Sequence, residues 1–221
     1  MDAQTALERI EQSGLMAGMR GKFPPDVALD VAQALLFSAQ IDVFEFTMNS
    51  EQPIEAMQAV KRRHGNSVCA GMGTVLDADM ARRVIDAGGD YVIAPSFNRE
   101  VVEVCQRAGV LVVPGVITPT EAVDAWATGA KLLKIFPIGV LGLEYFKSIR
   151  GPLSHIKFIC NGGMTDENVG AFLKAGAAAA GMAGWLTGDG SMSLNLIEQR
   201  ARILREIVTS VRSGQPQRLS V

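Results

Sequence analysis

At 221 residues the chain lies near the lower end of a single α/β barrel and is long enough to bury a sizeable core; nothing in it resembles a linker between two domains. Formal charge is −2 with acids and bases interspersed, so no basic stripe marks a nucleic-acid surface, and no apolar run approaches a membrane span. The start, Met1-Asp2-Ala3-Gln4, lacks the basic region and apolar core of a signal peptide, and the widely spaced Cys69, Cys105 and Cys160 fit reduced, packed thiols in a cytoplasmic protein.

Residues 2–13 carry helical spacing at Ala6, Leu7 and Ile10, and Gly14 supplies a stop. A first strand over 15–19 ends at Arg20-Gly21, and Pro24-Pro25 open a helix with Val27, Val31 and Leu35 on its apolar face. The second strand, over 41–47, holds Glu45 between Phe44 and Phe46; Ser50 is expected to cap the helix that follows. A third strand over 68–74 leads to a helix capped by Asp77 and ended by Gly88-Gly89. The fourth, over 91–94, is stopped by Pro95, with Asn98 starting the next helix. The fifth spans 110–113, and Thr118-Pro119-Thr120-Glu121 reads as a helix start with proline just inside.

The sixth strand lies in Lys131-Leu132-Leu133-Lys134-Ile135-Phe136-Pro137, with a helix around 143–149 after it. The seventh, over 156–160, runs into Asn161-Gly162-Gly163 and a helix capped by Thr165. A weak eighth strand over 177–180 leads into Gly181-Met182-Ala183-Gly184-Trp185, and a last helix spans 194–211. Strand and helix alternate eight times, which predicts one (β/α)8 TIM barrel over 1–212 with an extra N-terminal helix, and a polar tail over 213–221. An open doubly wound sheet is the alternative; it calls for a glycine fingerprint after the first strand, and Met19-Arg20-Gly21-Lys22 is not one.

Barrels of this kind carry their sites at the carboxyl ends of the strands. There the sequence sets Arg20, then Glu45, Thr47 and Asn49, then Thr74. Pro95 follows from strand four, Lys134 and Phe136 from strand six, Asn161 with Gly162-Gly163 from strand seven, and Gly184 after strand eight. A lysine desolvated among apolar neighbours yields neutral amine, the form that makes a Schiff base with a ketone; the alternative for Lys134 is a snorkelling side chain with its head in water. Glu45, flanked by two phenylalanines, is expected to have a raised pKa suited to general acid/base work, or else to form a structural ion pair. Thr74 can equally be a strand-end hydroxyl bonded to backbone, and the glycines simple turns, although glycine loops after the last two strands are where barrels commonly hold phosphate. His64 and His155 stand apart from the cysteines, so no metal site is expected.

The ordered motifs resemble one family. Phe44-Glu45-Phe46-Thr47, Gly71-Met72-Gly73-Thr74-Val75-Leu76, Ile93-Ala94-Pro95, Pro114-Gly115-Val116, Lys131 to Pro137 and Gly162-Gly163 stand as in the bacterial 2-keto-3-deoxy-6-phosphogluconate (KDPG) and 4-hydroxy-2-oxoglutarate (KHG) aldolases and their 6-phosphogalactonate relatives. The resemblance implies a homotrimeric barrel that, with no cofactor, cleaves a 2-keto-4-hydroxy acid to pyruvate and an aldehyde. It implies Lys134 as Schiff-base lysine and Glu45 as general acid/base. Thr74 and Pro95 would line the pyruvate end, Phe136 would pack beside the imine, and Arg20 would bind substrate as in the galactonate type. Three positions depart from the gluconate pattern. Asn49 replaces an arginine, Asn161 replaces a threonine but can still reach the pyruvate carboxylate, and Gly184 replaces a phosphate-holding serine, leaving backbone amides with Gly162 and Gly163. A barrel that binds a small acid without turning it over, or a phosphate-binding epimerase, is the alternative from another class.

Overall fold

A computed structural model describes residues 1–214. Nine parallel strand segments, β1 to β9, form one sheet in the order β5-β4-β3-β2-β1-β9-β8-β7-β6. They are β1 Leu15–Met19, β2 Val43–Thr47, β3 Cys69–Gly73, β4 Tyr91–Ile93, β5 Leu111–Val113, β6 Gly115–Val116, β7 Leu133–Ile135, β8 Phe158–Asn161 and β9 Ala179–Met182. Helices α1 Ala3–Ser13, α2 Pro25–Ala39, α3 Pro53–His64, α4 Ala78–Asp86 and α5 Arg99–Arg107 are followed by α6 Pro119–Ala127, α7 Ile138–Arg150, α8 Asp166–Lys174 and α9 Leu194–Ser213.

The ring closes at Pro114. Proline has no N–H for the ladder, so β5 and β6 are one bent strand in two pieces. The first piece pairs with β4 and the second with β7, and the Lys134 amide donates to the Pro114 carbonyl at 2.8 Å. The nine segments therefore make the eight-stranded barrel that the alternation predicts. Side chains alternate across each strand and divide between two cores. Leu15, Ala17, Phe44, Phe46, Leu133 and Ile135 face outward into the shell under the helices. Met16, Val43, Cys69, Tyr91, Leu111 and Ile159 fill the barrel, joined by Ala6, Leu7 and Ile10 of α1. These barrel residues stand mainly near the strand starts, so α1 plugs the amino end and the carboxyl end is left for chemistry.

Local signals explain most helix boundaries. Asp77 accepts from the Met80 amide at 2.8 Å, Asn98 accepts from the Glu100 amide at 2.9 Å, and Thr118 with Glu121 forms a reciprocal capping box. Ser50 does not cap α3. The N-cap position is Gln52, ahead of Pro53, and the Ser50 hydroxyl instead meets Thr47 Oγ1 at 2.7 Å and accepts from the Gly21 amide at 3.0 Å. Helix α7 starts earlier than its apolar spacing indicates and is broken at Gly142, where φ is 81°. The last strand sits two residues further along than expected, because pairing with β8 matches Ile159 to Ala179 and Asn161 to Gly181. Helix α9 continues to Ser213, with Arg212 donating to the Glu11 carbonyl at 2.5 Å; of the tail expected from 213, residues 215–221 lie outside the described residues. Among the described residues no helix is long and apolar enough to cross a membrane.

Candidate active site

Strand β7 is three residues long, and its alternation turns Leu133 and Ile135 outward and Lys134 inward. Strand β2, four places away in the ring, turns Glu45 inward in the same manner. The two side chains meet across the barrel: Lys134 Nζ lies 3.7 Å from Glu45 Oε1, and each residue is 5% exposed. The flanking phenylalanines of Glu45 point away into the outer shell, so its surroundings are set by the barrel interior and not by the residues beside it in sequence. Phe44 and Phe46, its neighbours in sequence, therefore do not surround the carboxylate. Space for the carboxylate comes from Gly73, where a Cβ would stand 1.8 Å from Oε1.

Phe136 follows on the mouth side of Lys134, its ring centroid 5.0 Å from Nζ. The ring is pinned by Gly162, whose Cβ, if present, would stand 2.9 Å from it. Gly162 and Gly163 have φ of 84° and 75°, a consecutive left-handed pair that favours glycine. Their carbonyls are occupied: Gly162 accepts from the Gly139 amide at 2.7 Å and Gly163 from Asn168 Nδ2 at 2.8 Å. Asn161, at the end of β8, is 6% exposed, and its Oδ1 is buried without a hydrogen-bond partner. Its carboxamide lies over Gly181, where a Cβ would be 2.2 Å from Nδ2.

On the other side of the mouth Arg20 Nη2 donates to Thr74 Oγ1 at 3.2 Å. Thr74 has φ of 59°, a left-handed conformation that is strained for a β-branched residue and is usually held for function. The Arg20 segment is fixed from behind by the Thr47–Ser50 hydroxyl pair on the Gly21 amide. Arg20, Gly184, Gly188, Asp189, Ser191 and Met192 line a cavity of about 550 Å³. Hydrogen bonds from Ser191 hold the Asp189 carboxyl below its ordinary value. No atom lies within 4 Å of where a Gly184 Cβ would be, so that wall is open. Pro95 stands at the barrel closure, where a Cβ on Gly115 would be 2.2 Å from its carbonyl carbon. Asn49 is exposed on the turn after β2. The structure thus gathers Lys134, Glu45, Phe136 and Asn161 within the barrel, joins Arg20 to Thr74 at its rim, and leaves Asn49 at the surface.

Gly73, Gly181 and Ser50 also shape the site; Gly73 and Ser50 were not among the expected residues, and Gly181 was expected only as part of the glycine segment that follows strand eight. The only sequence signal for the two glycines is their spacing on inward positions, and its meaning depends on which strand lies beside them.

A lysine and a carboxylate thus face one another inside a parallel α/β barrel, beneath an arginine-bearing mouth. The chain belongs to the KDPG and KHG aldolase family, which it matches over residues 9–201. It is 32% identical over 192 residues to the 2-dehydro-3-deoxy-6-phosphogalactonate aldolase of Escherichia coli strain K12, covering 86% of this chain and 93% of that one. It is 26% identical to the 2-dehydro-3-deoxy-phosphogluconate aldolase of Haemophilus influenzae, over 86% of this chain and 93% of the relative. Among solved structures, a native KDPGal structure superposes with a TM-score of 0.84 at 30% identity, over 90% of this chain and 96% of that chain.

Proposed function

We propose that the protein is a class I aldolase that cleaves a 2-keto-4-hydroxy acid to pyruvate and an aldehyde, with Lys134 as the Schiff-base residue and Glu45 as the general acid/base. The observation that carries this reading is the 3.7 Å approach of Lys134 Nζ to Glu45 Oε1 inside the barrel. The lysine amine adds to the C2 ketone, and loss of water gives an iminium. Glu45 takes the proton of the C4 hydroxyl. The C3–C4 bonding pair then flows into the iminium, an enamine forms, and the aldehyde leaves. Glu45 returns its proton to C3, and hydrolysis of the iminium frees pyruvate and the amine.

The other residues hold the substrate. Phe136 covers one side of the imine, Thr74 and Pro95 border the pyruvate end, and Asn161 donates an amide hydrogen to the carboxylate. Arg20 meets the distal end, where a phosphate, if carried, would lie against Gly162, Gly163 and Gly184. The gluconate and oxoglutarate substrates follow from the family. The 6-phosphogalactonate substrate is favoured by Arg20 and Asn49-Ser50, which resemble that type, and by the 32% identity to such an aldolase. The assembly is read as a homotrimer on the same resemblance, and exposed apolar residues (Val123 at 49%, Val140 at 79%) are consistent with contact between copies. Light scattering gives the mass. A cytoplasmic setting agrees with three buried, free cysteines.

The test is pyruvate release, coupled to lactate dehydrogenase, from each of the three keto acids. Turnover of at least one, lost by about a thousandfold or more in Lys134→Met, is expected. Binding of these acids by both proteins with turnover by neither would favour the binding-barrel alternative.

A further inference from the structure

Arg20 is the first residue beyond the ladder of β1, whose pairing with β2 ends where Met19 is matched to Phe46. It is exposed and its side chain is long, so the guanidinium is aimed only as well as the backbone beneath it is held. One side-chain oxygen holds that backbone on both sides. Ser50 Oγ accepts from the Gly21 amide at 3.0 Å and reaches the Met19 carbonyl at 3.4 Å, the main-chain groups before and after Arg20. Its third neighbour is Thr47 Oγ1 at 2.7 Å, in a residue that is 3% exposed.

A hydroxyl has one hydrogen to give and two acceptor sites. The Gly21 N–H can only donate, so it fills one acceptor site of Ser50. With the Ser50 hydrogen directed to Met19, the Thr47 hydroxyl donates to the second site and the set is complete. Thr47 lies two residues beyond Glu45 on β2, so the strand that carries the carboxylate also steadies the arginine's segment. Two further bonds run main chain to main chain: the Gly21 carbonyl accepts from the Glu51 amide at 2.9 Å, and the Lys22 amide donates to the Asp189 carbonyl at 2.7 Å. A substitution at Ser50 thus removes the side-chain half of this clamp and leaves the rest. Ser50 does not line the cavity that Arg20 lines, so it can reach a ligand there only through Arg20.

We infer that Ser50 is a positioning residue of the cleavage reaction: by tying the main chain on both sides of Arg20, it sets where the guanidinium meets the distal end of the substrate. This rests on the aldolase reading above.

The experiment is a double-mutant cycle of Ser50→Ala and Arg20→Met. It is read in KM and kcat for cleavage of whichever of the three keto acids the wild type turns over fastest. Ser50→Ala removes the oxygen that the two neighbours of Arg20 share and leaves the Gly21 amide without its partner. With Arg20 present it is expected to raise KM about tenfold and to change kcat by about threefold or less, the pattern of lost binding and retained chemistry. In the Arg20→Met protein it should change KM by about twofold or less, because the group it positions is gone. A merely structural serine would leave KM unmoved in both backgrounds, and one that acts on another part of the site would raise KM equally in both; either result overturns the inference. If Ser50→Ala does not fold, Thr47→Val takes its place. That variant keeps the shape of the side chain, withdraws the hydroxyl from Ser50, and should raise KM about threefold with Arg20 present and not without it. An unchanged KM there overturns the inference as well. A wild type that cleaves none of the acids defeats the aldolase reading and this role with it, whereas cleavage with a KM that Ser50→Ala leaves unchanged defeats only the role of Ser50.

Discussion

Lys134 and Glu45 approach to 3.7 Å from strands four places apart in the ring, with side chains 6% and 7% exposed. Two charged groups are kept out of bulk water where a hydrophobic pair would cost less to bury, and such a placement is tolerated when the site needs it. If Glu45 moves protons while Lys134 makes the covalent bond, the two steps are separable. Glu45→Gln is expected to form the pyruvate imine while losing about a hundredfold to ten-thousandfold in cleavage. Imine trapping beside a steady-state assay checks this. Equal loss of trapping and cleavage would assign Glu45 to activating the amine.

Gly73 leaves the volume that the Glu45 carboxylate occupies, since a Cβ there would lie 1.8 Å from Oε1. Gly73→Ala should displace the carboxylate and destabilise the fold by about 1–3 kcal/mol, with activity falling toward that of Glu45→Gln. Urea titration and kinetics on the purified variant measure both. Full activity in this variant would show that Glu45 can work from another position.

Thr74 holds a left-handed backbone conformation to put its hydroxyl on Arg20. Glycine at that position removes the strain at the cost of greater freedom in the unfolded chain. Thr74→Gly is therefore expected to raise stability by about 1 kcal/mol while raising KM roughly tenfold. Thermal melts and steady-state kinetics on one preparation test the trade. A drop in both stability and activity would mean that the hydroxyl is needed for the fold.

The three thiols are held protonated by burial, with Cys69 and Cys105 pushed up to about 12 and Cys160 raised as well. They should be unreactive toward a disulfide reagent at pH 8 and titrate only after denaturation. The sign of the stability effect follows. Above about pH 8.5 unfolded thiols lose protons that the folded protein retains, so stability is full below that pH and declines as pH rises toward about 12. Urea titrations at pH 7 and pH 10 should show a steeper decline in the wild type than in Cys105→Ala.

The barrel was legible from alternation, whereas Lys134 and Glu45 stood out as a pair only beside the other motifs, since taken singly they also fitted a snorkelling lysine and a structural ion pair. The surroundings of the pair were not legible. Phe44 and Phe46 adjoin Glu45 in sequence and face the opposite core, while Gly73 and Lys134, distant in sequence, are its neighbours in space. Gly181 acquires its meaning from pairing with Asn161, and Ser50 from the Gly21 amide, relationships set by strand register and loop packing. The split of one strand at Pro114 was likewise hidden, since only closure of the ring shows that both halves pair.

The most direct measurement is borohydride reduction of the protein in saturating pyruvate, followed by peptide mass spectrometry. A reduced pyruvate adduct on Lys134, absent from Lys134→Met, is the expected result and would fix the amine as the covalent catalyst. Unmodified Lys134 in folded protein, or an adduct carried by another lysine, would contradict it.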